Sequence, residues 1–115
     1  MEMVSRIKAV LRRYRPAKSE NLLTIHTHPD SFPPSIDDIN SNYDHNYEIG
    51  IVICHDGRVY MYSAEERINV NYYKLTVEDY LKNGYNEDTA QIEALKEMQK
   101  KFSIYFKEVT EDDCV

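Results

Sequence analysis

The sequence predicts an α/β fold, a small mixed β-sheet flanked by helices, in a single domain covering 1–115. Three observations carry that expectation. Apolar residues recur at helical spacing near both ends of the chain. Short runs rich in β-branched residues lie between those ends. Asp56-Gly57 separates two such runs and reads as a hairpin turn. The length of 115 residues suits one hydrophobic core, and 42% apolar with 30% charged residues describes a globular chain, not a disordered one.

In chain order, Met3, Ile7, Val10, Leu11 and Tyr14 mark an amphipathic helix over 3–15, and Arg15-Pro16 stops it. Leu22 to His28 follows as a strand, with Leu23, Ile25 and Thr27 on one face and Thr24, His26 and His28 on the other. Pro29 removes a ladder donor and ends it. Pro33-Pro34 stiffens the next loop, and a short helix runs from about Ile36 to Asn42. Ile49 to Cys54 is a buried strand, and Arg58 to Ser63 returns after the turn. Ile68 to Leu75 reads as a further strand. Thr76 with Asp79 reads as the cap of a short helix ending at Asn83-Gly84. From about Thr89, the series Ile92, Leu95, Met98, Phe102, Tyr105 and Val109 forms one apolar stripe, expected on a long helix packed on the sheet or dimerising. The tail from Glu111 is expected to fray.

Charge and composition narrow the function classes. A net charge of −6 argues against a general nucleic-acid binder. Arg6, Lys8, Arg12, Arg13, Arg15 and Lys18 against Glu2 give residues 1–18 a charge of +5, so the remainder totals −11. That basic run reads first as the solvated face of a helix, and second as a patch for an acidic partner. No apolar run approaches bilayer-spanning length, and the N-terminus lacks the apolar block of a secretory signal. Cys54 and Cys114 make no disulfide framework, so a reducing, cytoplasmic location is expected.

The residues that carry chemistry lie between His26 and Asp38. Alternation on a strand sends His26 and His28 to one side. Ser35 and Asp38 have the spacing of a helix N-cap and its N3 position. Two imidazoles and a carboxylate make a three-ligand set for Zn²⁺ with a fourth position open to water. His26-x-His28-Pro29, with Pro34-Ser35-x-x-Asp38 after it, resembles the signature of the JAMM (MPN+, JAB-domain) zinc metalloproteases. The resemblance implies a JAB/MPN-like, cytidine-deaminase-like architecture. It implies Zn²⁺ held by His26, His28 and Asp38, with Ser35 hydrogen-bonding to the water or the oxyanion. The activity it implies is hydrolysis of a peptide or isopeptide bond through a zinc-bound water. The substrate would then be an extended peptide or the tail of a small, ubiquitin-like protein. A homo-oligomer or partner chain is expected to meet the N- or C-terminal helix, and no membrane or nucleic acid is involved.

Two departures from the family pattern stand out. The stretch between His28 and Ser35 is one residue shorter than the family usually has. The family's general base is a glutamate on an upstream strand, and here only Glu2 and Glu20 precede the histidines. Glu20 is six residues from His26, roughly 20 Å along an extended chain. Glu2 opens a helix that rises ~21 Å, which can bring its start back to the histidine end but does not match the family position. The chain therefore reads as a JAMM domain lacking the N-terminal strand that carries the glutamate. Two functions stay open: a JAMM-type metallopeptidase, and a non-catalytic JAMM-like metal-binding interaction or scaffold domain. A plainer reading of the motif, two satisfied strand histidines followed by a capping box, stands beside both. His45 and His55 are expected to be exposed, Cys54 to be a small core residue, and Tyr60, Tyr62, Tyr72 and Tyr73 to cover the sheet.

Overall fold

The computed structural model describes residues 23–110, so the helix expected over 3–15, Glu2, Glu20, Leu22 and the C-terminal tail lie outside the described residues. Within that range the elements are β1 (Leu23–His28), α1 (Ile36–Asp44), β2 (Ile49–Cys54), β3 (Val59–Ala64), α2 (Val70–Lys82), α3 (Glu87–Lys101) and β4 (Ile104–Val109). The four strands form one mixed sheet in the order β1-β2-β3-β4. β1 and β2 are parallel and joined through α1, whereas β2–β3 and β3–β4 are antiparallel.

Strand alternation decides the two faces. Val52, Cys54, Tyr60, Tyr62, Ile104 and Phe106 pack with Ile36 and Ile39 of α1, Tyr73 of α2 and Ala94, Leu95 and Met98 of α3 in the main core. Ile51, Val59 and Val109 make a smaller cluster on the other face, with Leu23, Ile53 and Met61 against it. The register places Thr24 beside Gly50 and His26 beside Val52, so both histidines of β1 project from the face that the helices cover.

Gly50 has a specific reason to be glycine. It pairs with Thr24 on one side and Tyr62 on the other. A Cβ there would fall inside the Tyr62 ring, which lies across the strand with its hydroxyl on Thr24.

Two expectations need correction. Residues 68–75 are not a strand: Ile68 is a buried connector, Asn69 caps α2, and the helix runs straight through Thr76 to Lys82. Asn69 Oδ1 accepts the Tyr72 amide at 3.0 Å, and this cap outweighs the β preference of Val70, Tyr72 and Tyr73. The long helix also stops early. α3 ends at Lys101, and the C-terminal part of the apolar stripe belongs to β4, where Ile104, Phe106 and Val109 are buried while Tyr105 is 40% exposed. The apolar side of α3 is spent inside the core, on Ala90, Ala94, Leu95 and Met98, so it is no free dimerising face.

Candidate metal centre

The C-terminal end of β1, the loop after it and the start of α1 meet at one corner of the sheet. Pro33 and Pro34 are fully buried and anchor the loop. Asp30 accepts the Phe32 amide at 3.1 Å, closing a tight turn over Ser31. The His55 amide donates to the carbonyls of His28 at 3.0 Å and Asp30 at 3.2 Å, tying the end of β1 to the end of β2.

Ser35 is the N-cap of α1 and forms a complete capping box. Its Oγ accepts the Asp38 amide at 3.0 Å, and Asp38 Oδ2 accepts the Ser35 amide at 3.0 Å. Asp37 and Asp38 sit in the first turn, where the helix dipole favours negative charge. The box fixes the Asp38 carboxylate, which is 17% exposed, and directs Oδ2 toward β1.

His28 Nε2 stands 3.4 Å from that Oδ2. Its other nitrogen, Nδ1, lies 3.3 Å from the carbonyl oxygen of Phe32. A carbonyl only accepts, so Nδ1 carries the hydrogen of that bond and a neutral ring presents its lone pair at Nε2. Nε2 is then the atom that faces Asp38 Oδ2, either as the N–H of an imidazolium paired with the carboxylate or as a lone pair that could share a cation with it. Backbone anchoring of the non-ligating nitrogen is also the usual arrangement around a metal-bound histidine.

Cys54 shares the Phe32 carbonyl, donating from Sγ at 3.2 Å. Burial first, and then Asp56 and Asp30, push its thiol up to about 11. It therefore remains a protonated core group and not a thiolate ligand.

His26 sits two residues back on the same face and is exposed. The structure brings His28, Asp38 and Ser35 together and leaves His26 apart: among the described residues no three His, Cys, Asp or Glu side chains form a metal-binding group. Residues i and i+2 of a strand are separated by ~6.6 Å of rise, so two such rings converge only when something between them draws them in.

His45 and His55 are exposed, and His45 is occupied with the Ser41 carbonyl at 2.9 Å and stacking on Tyr47. A cavity of about 490 Å³ opens elsewhere, between α3 and the sheet, lined by residues such as Tyr80, Ile92, Lys96 and Phe106, and includes none of the motif residues.

Three groups that matter here were not singled out from the sequence. The Phe32 carbonyl orients His28, and no side-chain pattern announces a backbone acceptor. Asn40, buried in α1, holds the backbone of Ile68 through both its amide atoms, at 3.0 and 2.8 Å. Asn42 accepts the Ala64 amide at 3.0 Å and links α1 to the end of β3. Polar residues on the buried side of a short helix are a legible signal for such brackets. Burial pushes the Tyr62 hydroxyl up to about 12, with the Asp38 charge adding to it, so this side chain lies in the field of the motif carboxylate.

No protein-family model matches the chain, and no significant match is found among curated proteins or solved structures. Among the described residues no helix is long and apolar enough to cross a membrane.

Proposed function

We propose that this chain is a zinc-dependent peptidase or isopeptidase of the JAMM type, with the JAB/MPN-like architecture that its motif implies. The observation that supports this most is the 3.4 Å between His28 Nε2 and Asp38 Oδ2. Two N and O ligands at ~2.0–2.2 Å on a tetrahedral zinc ion stand about 3.4 Å from each other. The donor types, two imidazoles and one carboxylate, also suit the ion, although only the His28–Asp38 pair has its spacing and His26 stands apart.

Zinc bound here supplies a water whose pKa is near 7 and a Lewis acid for the substrate carbonyl. The chain's own residues do the rest. His28 and Asp38, each fixed by backbone hydrogen bonds, would hold the ion from two elements. His26, on the same strand face, would have to turn toward them to complete the set. The Ser35 Oγ already accepts the Asp38 amide, so its hydrogen is available for the carbonyl oxygen as charge develops there. Taking a proton from water falls to a further base, and Glu2 and Glu20 lie outside the described residues.

The test is hydrolysis by the zinc-loaded chain of a panel of peptides and of lysine isopeptides joined to extended peptide tails. Cleavage that is lost in His28→Ala and on chelation, and restored by zinc, is the expected result. A folded, zinc-loaded chain that cleaves none of them contradicts the peptidase reading and leaves a metal-binding interaction domain.

A further inference from the structure

Along β1 the helix-covered face carries Thr24, His26 and His28 in turn. His28 has its anchor in the Phe32 carbonyl. His26 is exposed, and among the described residues no group holds its ring. Just before it on the same face lies a closely fitted pair of hydroxyls. Tyr62 of β3 is 1% exposed, and its ring crosses above Gly50 of β2 toward β1. A Cβ at Gly50 would clash with the Tyr62 hydroxyl oxygen itself, so only glycine lets that oxygen settle beside Thr24, the register partner of Gly50. Tyr62 and Thr24 hydrogen-bond there, in the field of the Asp38 carboxylate. Three strands thus bring two hydroxyls, one of them locked by packing, to the position two residues before His26.

We propose that Thr24 and Tyr62 are positioning residues for His26: one nitrogen of the ring turns toward His28 and Asp38, and the N–H of the other donates to Thr24 Oγ. The inference rests on the zinc-site reading above and names what holds its third ligand. The two nitrogens of an imidazole diverge, so a ring with one of them toward His28 presents the other toward Thr24. A metal-bound histidine usually gives its second N–H to a fixed acceptor, which sets both tautomer and orientation. A threonine hydroxyl has one hydrogen and two lone pairs, so Thr24 bonds Tyr62 and still accepts an N–H. Side chains at i and i+2 stand ~6.6 Å apart along a strand, a span that a ring, a hydroxyl and one hydrogen bond of about 3 Å cover together. Tyr62 adds rigidity, because a phenol held across Gly50 fixes the direction of the Thr24 hydroxyl. His28 is then braced on Phe32 and His26 on Thr24, from the two ends of β1.

The experiment measures zinc affinity of the full chain by calorimetry in double-mutant cycles with His26→Ala. Thr24→Val keeps a branched side chain suited to a strand and removes the hydroxyl. Thr24→Val and Tyr62→Phe are each expected to weaken zinc binding about tenfold or more, the usual cost of losing an outer partner of a ligand. In the His26→Ala background neither is expected to weaken it further. Thr24→Ser keeps the hydroxyl and is expected to retain the wild-type affinity. Nitrogen NMR of the zinc-loaded chain is expected to show one His26 nitrogen on the metal and a proton on the other, with faster exchange of that proton in Thr24→Val. Equal zinc affinity in the wild type and Thr24→Val overturns the proposal while leaving the zinc site standing. An equal loss with and without His26 also overturns it, because the hydroxyl pair then supports the sheet alone. A wild-type chain that takes up no zinc overturns both this inference and the reading beneath it.

Discussion

At Ser35 one oxygen serves two purposes that substitution can separate. It caps α1 by accepting the Asp38 amide, and its hydrogen faces the candidate chemistry. Ser35→Ala removes both, and loss of the cap is expected to cost about 1 kcal/mol of stability in a urea titration. Ser35→Asn restores an equally good cap without a hydroxyl. Stability should therefore return in the asparagine variant while hydrolysis stays as low as in the alanine variant. Recovery of both would make Ser35 a helix cap and nothing more. His28 shows the same economy at a single ring, with Nδ1 anchored on the Phe32 carbonyl so that Nε2 is left to face Asp38.

Between elements, the site depends on how firmly α1 is held against the sheet. Asn40 and Asn42 are 3% and 2% exposed, and they bind backbone groups at Ile68 and Ala64. Asn40→Ala orphans a buried N–H and a buried C=O of Ile68, each costing about 1–3 kcal/mol. Its predicted signature is a lowered urea midpoint together with weakened zinc affinity, since α1 carries Asp38. A wild-type midpoint would mean that water replaces the bracket and that α1 is held by Ile36 and Ile39 alone. The sheet strands β1 to β3 and the start of α1 were legible in the sequence, because alternation, Asp56-Gly57 and the capping spacing act locally. The later elements were legible in part: the helix end at Asn83-Gly84 and the helix beginning near Thr89 stand, whereas the start of α2 and the strand β4 were missed. The Tyr- and Val-rich stretch after Ile68 carries a β preference that a cap at Asn69 and packing of Tyr73 and Thr76 override. In the C-terminal stripe, Phe102, Tyr105 and Val109 continue a helical period by coincidence, while the alternation of Ile104 and Phe106 around exposed Tyr105 carried the correct period of two.

For the whole molecule, burial of hydroxyl and thiol groups sets the response to base. Tyr62 is pushed from its ordinary 10.0 up to about 12, first by burial and then by Asp38, and burial also raises Tyr60 and Tyr73. Cys54 moves from 9.0 to about 11, chiefly by burial. In each case the folded state keeps a proton that the unfolded state has released. Stability contributed this way is whole below about pH 9 and falls as pH rises toward 11 and 12. Urea midpoints measured against pH should decline across that window, and less steeply in Tyr62→Phe. A flat profile up to pH 11 would show that these side chains reach water in the folded chain. At this scale the candidate metal centre was legible as a set of residue types, whereas the separation of His26 from the His28–Asp38 pair was not, because spacing on a strand fixes a shared face and not a shared point.

Whether His26, His28 and Asp38 hold one zinc ion is read from the zinc content per chain after purification and dialysis against buffered zinc. About one ion per chain is expected, as for other three-ligand sites. Loss of that ion is predicted in His28→Ala and Asp38→Ala, and weakening in His26→Ala, with circular dichroism unchanged. Saturating zinc should also raise the melting temperature of the wild-type chain and not of the variants. Zinc content that is absent from the wild-type chain, or that is equal in the wild type and in His28→Ala and Asp38→Ala, would contradict this zinc site.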